Sequence, residues 1–148
     1  MAHVTLSARC SWEARVVAEA LALVEKNTER WNEAELYRLK GELTLAHAGK
    51  SLQAKGTSQN TETPHPHSHI SEPESEAEAC FVKAMEIAQK QQAKSLELRS
   101  ATNLARLWQQ QGKRTEAHEL LAPIYGWFTE GFDTADLQDA KALLEALA

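Results

Sequence analysis

The chain has 148 residues, 43% of them hydrophobic and 6% aromatic, with a formal net charge of −5 at pH 7. That length fits one domain with a core of its own, and the acidic balance offers none of the clustered Lys and Arg that nucleic acid or an anionic membrane attracts. No apolar run approaches the roughly 20 residues that cross a bilayer, and the first ten residues lack the apolar stretch of a signal peptide, so a cytoplasmic location is expected.

Ala and Leu dominate the apolar set, β-branched residues are scarce, and Glu, Lys, Gln and Arg are plentiful, a mix that favours helix almost throughout. The first helix is expected over residues 11–26, with Ser11 as N-cap and Trp12, Val16, Ala20, Leu23 and Val24 at helical spacing. A polar break at residues 27–30 follows. The second helix should run from Trp31 or Asn32 to Ala48, with Leu36, Leu39, Leu43 and Leu45 apolar and Gly49 as its stop. Gly41 lies inside that helix, where it costs roughly 1 kcal/mol relative to Ala; close approach of a neighbouring helix explains it.

Residues 50–71 differ in kind. Gly, Ser, Thr, Asn, Gln, Pro and His make up most of them, and such a stretch cannot bury enough apolar surface to offset its ordering entropy, which predicts a flexible insertion. Helix resumes over 73–91, with Ala77, Cys80, Phe81, Ala84 and Ile87 or Ala88 on the buried face. Further helices are expected over 95–111, closed by Gly112, and over 114–129, where Pro123 should produce a kink or a 3₁₀ turn. After Gly131, Asp133 or Thr134 caps a last helix ending near Leu147, with Leu137, Ala140, Leu143, Leu144 and Leu147 apolar.

Leu104, Ala105, Trp108, Gly112, Ala117, Leu121 and Ile124 form a spaced set of small and large residues. Two helices cross closely where one presents a small residue and the other a bulky one, so this spacing predicts a helical hairpin of tetratricopeptide type. Ala77, Phe81 and Ala84 repeat the second-helix positions Ala117, Leu121 and Ile124 at an interval of 40 residues. Gly41 and Ala105 are 64 apart, about 40 once an insertion of roughly 22–26 residues is removed, within the range of helical solenoids. The insertion therefore falls between the two helices of one hairpin. Ala14, Ala18 and Leu21 would be second-helix positions of a truncated preceding repeat.

Residues 31–45 (WNEAELYRLKGELTL), 77–84 (AEACFVKA) and the whole stretch 91–148 are similar to the C-terminal tetratricopeptide region of large bacterial multidomain ATPases, many of them fused to class III adenylate/guanylate cyclase domains. The resemblance covers most of the chain beyond about Ala18 apart from the insertion, which is longer and richer in His than the family's connection. It implies an all-α fold of about six helices in antiparallel hairpins, wound as a right-handed solenoid. It also implies a non-catalytic scaffold for protein–protein or interdomain contacts, a module or remnant of an ATPase/cyclase signalling protein; this chain has neither a phosphate loop nor a cyclase domain of its own. The first helix of each hairpin lines the inside of such superhelices, which makes Glu35, Arg38 and Glu42, and Arg99, Thr102, Asn103 and Arg106, the partner-binding candidates. Trp127 and Phe128 join them as docking residues near a helix end.

Other chemistry is thin. His65, His67 and His69 offer three closely spaced imidazoles, but a floppy loop fixes no geometry, so no metal or cofactor is expected. A regulatory helical domain binding a small ligand or metal through this His-rich loop is the alternative function. Trp108 and residues 125–128 fit core packing better than ligand stacking. Glu35, Glu42, Glu97 and Glu130 have no catalytic partner in sequence and read as solvated helix faces. With no P-loop, dinucleotide turn, nucleophile elbow or HExxH motif, the chain reads as no enzyme. Cys80 reads as a small buried hydrophobe, while a disulfide to Cys10 would need their Cα atoms about 5.5–6 Å apart, which sequence leaves open. Because terminal repeats leave an apolar face unless capped, the first helix should expose one, closed by parent-protein helices, by a homodimer or by helix exchange.

Overall fold

The computed structural model describes residues 5–27, 30–54 and 72–148, with side chains described for 12–27, 30–48 and 72–148. They form six helices, α1 (Thr5–Lys26), α2 (Glu33–Ala54), α3 (Glu72–Lys90), α4 (Lys94–Gln110), α5 (Arg114–Gly126) and α6 (Ala135–Leu147), with no strand among the described residues.

Several boundaries differ from the sequence expectation, each for a local reason. Helix α1 begins at Thr5, so Ser11 is an interior residue and not its N-cap; nothing in residues 5–10 breaks a helix. Helix α2 passes through Gly49 to Ala54. One glycine costs only about 1 kcal/mol, and the Lys, Leu, Gln and Ala that follow favour continuation. Residues 50–54 are thus helix and not insertion; the rest of that segment, with His65, His67 and His69, lies outside the described residues. Helix α5 ends at Gly126 rather than Thr129. Past Pro123 the N–H groups of Trp127 and Phe128 donate to the carbonyls of Ile124 and Tyr125, at 3.3 and 3.1 Å, the 3₁₀ pattern the proline suggested. Thr134 precedes α6 in extended backbone, but its hydroxyl donates to the Gly131 carbonyl (2.8 Å) rather than capping the helix.

The connections α3–α4 and α4–α5 are three residues each and share one construction. In the second, Lys113 N–H donates to the Trp108 carbonyl (2.8 Å) and Gly112 N–H to that of Gln109 (3.1 Å), with Gly112 at φ 82°. This is the Schellman arrangement, which needs a left-handed residue. In the first, Ala93 and Gln92 bond Ala88 and Gln89 in the same way (2.9 and 3.0 Å), but the left-handed position holds Gln92 at φ 55°. Such short links turn the chain straight back, so each helix packs on its sequence neighbours.

Small residues seat large ones along these contacts. Ala77, Ala101, Ala105, Ala117 and Ala140 are fully buried, packed with Phe81, Leu98, Leu104, Leu107, Leu121, Ile124 and Leu137 in one core spanning α3 to α6. Gly41 supplies the tightest seat. A Cβ placed on it would lie 2.6 Å from the Phe81 ring, which is itself fully buried. Direct packing also joins α2 to α4 and α4 to α6, whereas among the described residues no Cα of α3 lies within 8 Å of a Cα of α5, nor one of α1 within 8 Å of one of α3. The even-numbered helices thus form a row with the odd-numbered ones outside it.

Helix α1 joins this body more loosely. Its buried face is Val17 and Val24, while Ala18 is exposed and Ala14 and Leu21 are half-buried. The alignment of Ala14, Ala18 and Leu21 with the buried positions of α3 and α5 is therefore not realised in the packing. Trp12, Val16 and Leu23 are exposed.

Candidate functional site

The row of even-numbered helices places polar residues between its packing positions, and they converge on one groove of about 220 Å³, lined by Arg38 and Glu42 of α2, Arg99, Thr102, Asn103 and Arg106 of α4, and Asp136 and Asp139 of α6. Helical periodicity explains the selection. Arg99, Thr102, Asn103 and Arg106 fall at i, i+3, i+4 and i+7, one face of α4, while Leu98, Ala101, Leu104 and Ala105 turn into the core.

Within α2, Arg38 clasps Glu35 through two hydrogen bonds, from Nε (2.9 Å) and one terminal nitrogen (2.7 Å), and reaches Glu42 at 2.6 Å with the other. Bidentate charge-assisted pairs of this kind are strong and directional. The bonds from Arg38 hold the Glu35 carboxyl below its ordinary value of 4.5, burial opposing the shift; the bond to Glu35, with the charge of Glu42, raises the Arg38 guanidinium above its ordinary value. Between helices, Asn103 Nδ2 donates to Glu42 (2.8 Å), Arg99 Nε donates to Asp136 (2.8 Å) while a terminal nitrogen of the same guanidinium lies 3.8 Å from Glu35, and Arg106 pairs with Asp139 at 3.7 Å. Thr102, which is buried, returns its hydroxyl to the Leu98 carbonyl of its own helix (2.8 Å).

The arginines are not equivalent. The Arg38 side chain is only 14% exposed, whereas those of Arg99 and Arg106 are 41% and 47% exposed. Arg38 therefore serves as a brace, and Arg99 and Arg106 can trade an internal carboxylate for an incoming one. With three arginines set among three carboxylates, a wall of this kind recognises a polar chain of mixed charge by hydrogen bonding.

Sequence reasoning named six of the eight lining residues, and Glu35 beside them. It misses Asp136 and Asp139, because it rests on the apolar positions of α6; the available signal is two acids three apart along the edge of the α6 core stripe. Trp127 and Phe128 do not line the groove. Trp127 is exposed beyond α5, edge-on to half-buried Phe128 with ring centroids 5.3 Å apart, and the Lys94 ammonium lies 5.7 Å from its ring centre. Trp108 packs half-buried against the core, its indole N–H without a hydrogen-bond partner among the described residues.

Glu97 corrects the solvated-face reading. It is 4% exposed and accepts hydrogen bonds from Gln89 (3.0 Å) and Lys94 (2.8 Å), a buried carboxylate tying α3 to the start of α4. Cys80 is a free, buried thiol, pushed up from its ordinary value by burial. Among the described residues no cluster of three His, Cys, Asp or Glu side chains is placed to hold a metal ion, and no helix is long and apolar enough to cross a membrane.

Two concavities exceed the charged one in volume. A trough of about 890 Å³ lies between α1, α2 and the start of α3, lined by Val17, Leu21, Tyr37 and Leu43 among others, and a second of about 410 Å³ lies along the α1–α2 seam. Both reflect the loose seating of α1. Comparisons with protein-family models, curated proteins and solved structures gave no match to the chain.

Proposed function

We propose that this chain is a non-catalytic, tetratricopeptide-like scaffold whose row α2–α4–α6 is the inner face of a short right-handed solenoid and holds a segment of a protein partner. One observation carries the reading. Residues selected as inner-face positions, Arg38, Glu42, Arg99, Thr102, Asn103 and Arg106, come from helices 61 residues apart along the Asn103–Glu42 bond and meet in a single groove. The seating of Phe81 on Gly41 and the burial of Ala105 and Ala117 support the repeat packing on which it depends. A segment of a parent protein would use the same groove, and the resemblance to the C-terminal region of bacterial ATPase/cyclase proteins favours a place in such a signalling protein.

A photo-crosslinking side chain at Asn103 tests this against one at Glu116, which is exposed on α5. The groove position should capture a discrete set of partners that the α5 position does not. Arg99→Glu combined with Arg106→Glu should abolish that capture. Equal capture from both faces, or capture indifferent to the charge reversals, would remove the reading.

A further inference from the structure

The two ends of the helical stack are unlike. At the α6 end the outward positions Gln138, Lys141 and Glu145 are polar and exposed, with only the small Ala142 and Ala146 exposed beside them, and Lys141 and Glu145 lie 4.0 Å apart, so that face presents little apolar surface. At the α1 end Trp12, Val16 and Leu23 are 50%, 45% and 57% exposed. Their spacing, i, i+4 and i+11, puts them on one helix face, continuous with the trough of about 410 Å³ that Leu39, Leu43 and Ala46 of α2 complete. Head-to-tail association would press this apolar face onto the polar back of α6 and would not close, whereas a two-fold pairing buries both apolar ends against each other.

The charges on the same face choose the direction. Arg15 and Glu19, both exposed, flank the apolar stripe one turn apart, 3.9 Å from each other. If two α1 helices lie antiparallel with Trp12 opposite the partner's Leu23, Val16 falls beside the partner's Ala20, and Arg15 comes alongside the partner's Glu19. Symmetry generates that ion pair twice. A parallel two-fold pairing instead places the Arg15–Glu19 edges of the two helices on opposite sides of the seam, where neither ion pair forms.

We propose that two copies of this chain associate through α1, antiparallel about a two-fold axis, with Trp12 of each protomer packed on Leu23 of the other. The grooves of α2–α4–α6 then belong to a divalent particle, which raises avidity for a partner with two binding segments.

Sedimentation of the full chain from about 1 to about 500 µM should show a monomer–dimer equilibrium. Leu23→Glu should shift it to monomer with the far-ultraviolet helix signal unchanged. If that variant loses helix, the charge pair decides instead. Arg15→Glu should weaken the dimer by about fivefold, since two exposed ion pairs become repulsive, and adding Glu19→Arg should restore it. A monomer throughout the range, which would leave the α1 face to some other segment, overturns the proposal. So does a dimer that ignores both the Leu23 and the Arg15 substitutions.

Discussion

Gly41 tests the packing at its most exacting point. In an ordinary helix interior, Gly→Ala stabilises by up to about 1 kcal/mol. Here the new methyl would meet the buried Phe81 ring at 2.6 Å, and overpacking costs about 1–3 kcal/mol. Gly41→Ala should therefore lower the denaturation midpoint, and Phe81→Leu in the same chain should relieve part of the loss; a stabilised Gly41→Ala variant would mean the ring is not there. The two Schellman turns give a prediction of opposite sign at one position. Gln92, at φ 55°, occupies the place that Gly112 fills at φ 82°, so Gln92→Gly should stabilise by about 0.5–1 kcal/mol. Gly112→Ala should destabilise by a similar amount, although nothing lies within 4 Å of the added methyl. Chemical denaturation of the two variants reads both effects. Gly112 was legible in the sequence as a helix stop; the matching turn at Gln92 was not, because a glutamine carries no sign that its backbone is left-handed.

At the scale of elements, the groove is also a set of cross-braces. Arg99 touches Glu35 of α2 and Asp136 of α6 from its place on α4, so it spans the row. Each pair is partly exposed, and such surface pairs are worth about 1 kcal/mol or less and weaken in salt. Arg99→Ala should therefore cost less than about 1 kcal/mol of stability, with the gap from the parent closing as salt rises, while its effect on partner capture is large. A large stability loss insensitive to salt would make Arg99 a structural residue first. Glu35 adds a pH dependence. Its folded-state pKa is depressed by Arg38, so its contribution is complete above the ordinary value of 4.5 and is lost as pH falls through the depressed one. Glu35→Gln should flatten that acid limb, measured as the denaturation midpoint between neutral pH and about pH 3. The helices and their inward faces were legible because Ala, Leu and Phe recur at 3.6-residue spacing. Their ends were less so: Ser11 and Gly49 are stop or start residues by type, yet each is outvoted by good helix formers on both sides. Glu97 escaped because burial of a carboxylate depends on Gln89, a residue of another helix.

Over the whole molecule, stacking concentrates the core in α3 to α6 and leaves α1 with only Val17 and Val24 buried among its described side chains. Stability should be graded accordingly, with amides of α1 exchanging hydrogen far faster than those of α4 in dilute solution, where the α1 face is uncovered. Uniform protection in a monomeric sample would contradict that gradient. The claim on which groove, scaffold and ends all rest is that small residues seat large ones so that α2, α4 and α6 fall into a row. A nuclear Overhauser spectrum of the isotope-labelled full chain tests it most directly. Cross-peaks are expected from the Gly41 α-protons to the Phe81 ring and from the Asn103 side-chain amide to Glu42, with none between the α-protons of α3 and those of α5. A Gly41 silent toward Phe81, together with α-proton cross-peaks linking α3 to α5, would contradict it.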